Sequence, residues 1–173
     1  WRKLIKERPD EPEAYHNLAV VLVRSGRFTE SAPFYLKAME LYEDGTEDWA
    51  DSAASAFDRF GTSECVPKPE WWNEEALKAL SVQVAAVAPD KVQPCAMRAR
   101  VLEGHTLCEA PWNAGPRTAA AIKEAATWYR RAGMLTRAPS DKLRYDDLAR
   151  GLDEFADPLL AKEEAVAAAA RAA

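Results

Sequence analysis

The sequence predicts an all-α chain of antiparallel helix pairs stacked side by side, and three observations carry that prediction. Between Pro12 and Gly45, apolar and small residues recur at three- and four-residue steps in two runs separated by Gly26. The large-then-small spacing of Tyr15 and Ala19 returns further on as Trp49 and Ala53. Alanine-rich runs without β-branched alternation speak against a sheet.

Each element follows from local chemistry. The chain opens inside a helix that carries Trp1 and closes at Pro9, so residues upstream of Trp1 are expected. Pro12 is preorganised for a first helical turn, and Tyr15, Leu18, Ala19 and Leu22 then share one face of a helix over 12–25. Gly26 accepts the left-handed conformation that ends it. Phe28 starts a second helix over 28–42, in which Ser31, Tyr35 and Ala38 face back. The small residues Ala19 and Ser31 let the two backbones approach, while Tyr15 and Tyr35 fill the space beside them.

Trp49 and Ala53 belong to the next first helix, over 47–60. Its partner over 72–88 begins only after the insertion TSECVPKPEWW. A third pair is looser: a helix over 93–104, the loop HTLCEAPWNAGP, then a long helix over 117–137. After Pro139, Ser140 can cap a helix over 141–156, and Leu148, Leu152, Phe155 and Leu159 follow at three- and four-residue spacing on one face. That face is expected to seal the open end of the stack. From Leu160 the run AKEEAVAAAARAA has high helix propensity and almost nothing large to bury, so 158–173 reads as an exposed helix or tail.

In order and spacing, Tyr15, Leu18, Ala19, Leu22, Gly26, Phe28, Ser31, Tyr35 and Ala38 resemble the tetratricopeptide repeat family. The resemblance implies a right-handed α-solenoid of antiparallel helix pairs with a C-terminal capping helix, over residues 1–157. Its best repeat is 12–45, and looser repeats occupy 46–89 and 92–139. Such proteins bind other proteins in a groove lined by the first helix of each pair. Here that means Glu13, His16, Asn17, Val20 and Arg24, followed by Glu47, Ala50, Asp51, Ala54 and Phe57. One subclass clamps a C-terminal carboxylate with Lys, Asn and Arg at groove positions. Asn17 matches one of them, but His16 and Val20 stand where Lys and Asn would be, and Glu47 and Asp51 where Lys and Arg would be. Acidic side chains there repel a carboxylate, which speaks against that clamp.

Composition limits the alternatives. The 173 residues suit one domain with a real core, 48% of them being hydrophobic. A net charge of −5 disfavours nonspecific adhesion to nucleic acid or anionic lipid. The charge is uneven: 47–64 is acidic, whereas 71–139 carries Arg98, Arg100, Arg130, Arg131 and Arg137, either as solvated helix faces or as a basic patch for an acidic partner. No run is long and apolar enough for a membrane span, so peripheral association through a partner is the expected limit of membrane contact. Three cysteines, Cys65, Cys95 and Cys108, suggest a reducing compartment, cytoplasmic or organellar, and an upstream transit peptide remains compatible with the sequence. With His105 they fit no compact zinc spacing, so neither metal nor cofactor is expected. His16 lacks the neighbours of a nucleophile and base system, and no enzyme activity is expected.

Six tryptophans remain to be assigned. Trp1, Trp49 and Trp128 fall on apolar helical faces and read as core. Trp71, Trp72 and Trp112 flank the inserted loops, where Pro and Gly set turns and no helical stripe claims the indole. They read as loop anchors or as partner contacts. Partner binding is therefore expected at Glu13, His16, Asn17, Val20, Arg24, Trp71, Trp72 and Trp112. The expected function is a protein-interaction scaffold or adaptor. The alternative is an accessory subunit held permanently on a large assembly, such as an organellar photosynthetic or respiratory membrane complex.

Overall fold

In the computed structural model, residues 1–62, 67–104 and 118–172 are described, and among them the chain is all-helical, with eight helices and no strand. These are α1 (Arg2–Glu7), α2 (Pro12–Arg24), α3 (Phe28–Leu41), α4 (Glu47–Thr62), α5 (Glu74–Val87), α6 (Val92–Glu103), α7 (Ala119–Leu135) and α8 (Pro139–Ala172). Each helix packs on its successor, and α4 additionally touches α6. No helix among the described residues is long and apolar enough to cross a membrane.

The helix ends obey local rules. Pro12 opens α2, and Gly26 follows its end with a φ of +74° that a side chain would strain. Asn73 and Thr118 cap α5 and α7 by accepting from the amides of Ala76 and Ala121, at 2.9 and 3.2 Å. These caps set the starts two residues later than the apolar pattern alone places them.

The periodic positions fill three cores, each shared by consecutive helices. Ala19, Ala32, Tyr35, Ala56 and Phe60 join α2, α3 and α4. Trp49, Ala53, Phe57, Leu77, Val84, Met97 and Val101 join α4, α5 and α6. Cys95, Ala99, Ala126, Tyr129, Ala132, Tyr145 and Ala149 join α6, α7 and α8. Alanine dominates all three, so backbones approach closely and the aromatic rings carry most of the packing volume.

Three expectations are corrected. Trp1 is about half exposed at 49%, because α1 packs only lightly, on α2, and buries none of its residues. The helix expected over 141–156 and the run from 158 to 172 are one helix, continuous through Pro158. Pro158 removes one backbone donor, but Glu154, four residues before it, is exposed, and the chain is held on both sides of the proline. Lys123 pairs with Asp157 at 3.1 Å, and Glu163 accepts from the Ala119 amide at 3.1 Å, placing a carboxylate at the N-terminus of α7. Residues 164–171 lie exposed past that point.

The third correction concerns which face of α8 packs. Leu148 and Phe155 are exposed, whereas Tyr145, Ala149 and Ala156 are buried. The small face wins because α7 offers Gly133 opposite it. A Cβ at Gly133 would lie 3.2 Å from Asp146 Oδ1 and 3.4 Å from the Tyr145 Cβ. Gly133→Leu is expected to destabilise the fold by about 1–3 kcal/mol through overpacking. Gly133→Ala is expected to be close to neutral, since Asp146 can swing aside and alanine gains about 1 kcal/mol of helix propensity. Calorimetric melting of both variants checks the pair, and a tolerated leucine would mean that α8 does not seat on Gly133.

Candidate partner-binding site

The groove-side residues expected on α2 separate into two groups. Glu13 and Arg24 are exposed, and Asn17 donates weakly to Glu13 at 3.4 Å. Val20 packs against the core of Tyr35 and Phe60. His16 turns toward α4, where its Nδ1 lies 2.9 Å from Ser52 Oγ and its Nε2 3.9 Å from Asp51. Its ring meets Tyr35 edge-on at 5.4 Å. His16 thus joins α2, α3 and α4 with a side chain only 20% exposed.

Burial pushes the pKa of His16 below its ordinary 6.5, against the attraction of Asp51, Asp48 and Glu13 and with the repulsion of Lys91. The folded state therefore resists a proton that the unfolded chain takes up. Stability contributed by neutral His16 is present above pH 6.5 and is lost as pH falls below it. Urea midpoints are expected to drop from about pH 7.5 to about pH 5, with a shallower drop in His16→Gln. Equal slopes for the two proteins would place the pH sensitivity elsewhere.

Trp71 and Trp72, taken from sequence as loop anchors or partner contacts, lie half-buried against α4. Trp72 stacks on Phe57 with centroids 5.4 Å apart, and Trp71 meets Phe60 edge-on at 6.3 Å. Lys68 stands over the Trp72 ring at 5.1 Å and donates to the Phe60 carbonyl. The pair closes the α4–α5 core from the loop side. Trp112 lies outside the described residues, as do Cys65, His105 and Cys108. Cys95 is buried, its thiol contacts the Pro89 carbonyl at 3.2 Å, and burial pushes its pKa up to about 11.

A cleft of about 320 Å³ opens where α4, α6, α7 and α8 meet, lined by Asp58, Arg59, Gln93, Arg100, Tyr129 and Arg144 among others. Each arginine lies over an aromatic ring: Arg59 over Phe28 at 5.3 Å, Arg100 over Phe57 at 5.2 Å and Arg144 over Tyr145 at 5.0 Å. Asp58 accepts from Arg100 Nη1 at 2.6 Å and also pairs with Arg59. Burial, with the neighbouring guanidinium adding to it, lowers the pKa of both Arg59 and Arg100. Burial and the Glu103 carboxylate, which accepts from the Tyr129 hydroxyl at 2.7 Å, push the Tyr129 phenol up.

The cleft continues along α8 into a second hollow of about 560 Å³, and the two share Arg144 and Leu148. Leu143, Leu148 and Leu152 form its apolar wall. Sequence reasoning named Arg100 only within a count of basic residues, and it missed Arg59 and Arg144. Arg59 stands in the segment that reads as acidic, and Arg144 in a helix read as a cap. The available signal was an arginine on each of three alternate helices.

No protein-family model matches this chain, no curated protein matches it in sequence, and no solved structure matches it.

Proposed function

We propose that this chain is a non-catalytic interaction scaffold, a tetratricopeptide-like right-handed solenoid whose inner face receives a segment of another protein. The observation that carries the reading is the cleft among α4, α6, α7 and α8, in which planar cations are held in place over aromatic rings beside an apolar hollow. Planar cations and aromatic rings are the side chains enriched where proteins grip one another. The succession of α2 with α3, α4 with α5 and α6 with α7, each helix packed on the next, supports the repeat arrangement. A photo-cross-linking residue at Gln93, which lines the cleft, is expected to capture partner protein. The same residue at Lys3 on α1, 89% exposed, should capture none. Capture at Lys3 alone would refute the reading.

A second reading, a permanent subunit of a large assembly, has its own support. Leu143, Phe155 and Val166 on α8 and Met134 on α7 are each more than 60% exposed, an apolar load that a lasting partner would cover. Gel filtration separates the two: an adaptor elutes as a single species alone, whereas an orphaned subunit self-associates.

A further inference from the structure

We infer that α8 is a hinged element: residues 159–172 form an arm that swings at Pro158 and is latched to the body by Glu163 at the start of α7. Such an arm is independent of what the cleft binds. The half of α8 before the proline is seated by packing. Tyr145, Ala149 and Ala156 are buried, Gly133 makes room for Tyr145, and Asp153 and Asp157 pair with Arg130 and Lys123 of α7. After Ala156 the character changes. Leu159, Leu160 and Glu163 are half-buried, and every other residue from Asp157 to Arg171 is exposed. Helix α8 has 34 residues against 17 in α7, so the part beyond Glu163 runs past the first residue of its neighbour.

The boundary falls at Pro158 for a chemical reason. A helix holds cooperatively because each residue adds one backbone hydrogen bond to the turn before it. Proline brings no donor for the Glu154 carbonyl, and its ring presses on that carbonyl, which is where long helices bend. Two polar anchors stand on either side of this weak turn: Asp157 on Lys123 at 3.1 Å, and Glu163 on the Ala119 amide at 3.1 Å. The Ala119 N–H is one of the donors that a helix start leaves without an internal partner, and the carboxylate also meets the positive end of α7. A single hydrogen bond of this kind exchanges readily for water, whereas the packing before the proline does not. Opening uncovers Leu159, Leu160 and the start of α7 together. Once detached, a helix this short is marginal in water even when rich in alanine, so its amides exchange.

Residue-resolved hydrogen exchange on the whole chain, followed by NMR, tests the device. Protection is expected to fall in a step of about tenfold between Asp157 and Leu159, and to stay level from there to Glu163. Glu163→Ala raises intrinsic helix propensity, yet it is expected to lower protection across the arm and at the Ala119 amide by roughly fivefold while 145–156 stay unchanged. Glu164→Ala, at an exposed neighbour, should leave the arm as it is. Pro158→Ala restores the missing donor and is expected to abolish the step. A smooth rise of protection inward from Ala172 through position 158 in the native chain would show ordinary end fraying and overturn the hinge. Uniform protection along α8 would show one rigid rod and overturn it equally. An arm indifferent to Glu163→Ala overturns the latch.

Discussion

Asp58→Asn is expected to lower stability by roughly 2–3 kcal/mol. In the native chain the side chains of Asp58, Arg59 and Arg100 are 21%, 18% and 14% exposed, so the carboxylate that both guanidinium groups face is mostly out of water. Removing one partner of a buried pair costs about 3–5 kcal/mol, because the remaining charge keeps its desolvation and loses its compensation. Residual exposure and the hydrogen bonds that asparagine still offers bring the figure down. The melting temperature of a chain this size should fall by roughly 5–10 °C. A variant that melts like the wild type would show Asp58 to be well solvated and both arginines independent of it.

A division runs across the molecule between what a repeated local pattern decides and what only packing decides. Where the sequence repeats a pattern, local physics decides the outcome. Leu18, Ala19 and Leu22 on α2 and Ser31, Tyr35 and Ala38 on α3 are among the positions that the three- and four-residue spacing selects, and these six are buried, whereas Tyr15 is half-buried with its hydroxyl donating to the Pro9 carbonyl. Only residues on one face of each helix can meet, and a small residue opposite a ring is what lets them.

Helix α8 offered two plausible faces, and the larger side chains were the wrong guide. Leu148 and Phe155 carry more apolar area than Ala149 and Ala156. Yet Gly133 on α7 admits the close approach that only the small face can use, and the leucines are left along the groove. That choice depends on a residue of another helix and cannot be read from the amphipathic pattern of α8 alone. The same holds for the cleft. Arg59, Arg100 and Arg144 belong to three separate stretches of differing charge, and it is the packing of alternate helices that brings them to one place. His16 was legible as a polar residue on the inner side of α2, but its engagement by Ser52 and Asp51 required the register of α4 against α2.

Trp72→Ala is expected to act on stability and not on partner affinity, with a loss of roughly 2–4 kcal/mol. Truncating a buried large aromatic costs about 3–5 kcal/mol, and Trp72 is only half-buried, which places it toward the lower part of that range. What it loses is specific: the offset stack on Phe57, the contact with Phe60 at 6.1 Å and the seat of the Lys68 ammonium. Phe57 is fully buried in the α4–α5–α6 core, so the effect is transmitted to the centre of the molecule. A double-mutant cycle of Trp72→Ala with Phe57→Ala should return a coupling of about 0.5–1.5 kcal/mol, as expected for one aromatic pair. Partner affinity, measured on the folded fraction, should stay within about twofold of wild type, since Trp72 is absent from the lining of the cleft and of the hollow. An unchanged urea midpoint with a large loss of binding would reverse the assignment and make the loop tryptophans partner contacts. A lowered midpoint with intact affinity means that the insertion carrying Trp71 and Trp72 completes the core of the second helix pair, in the place where a shorter connection would leave Phe57 and Phe60 uncovered.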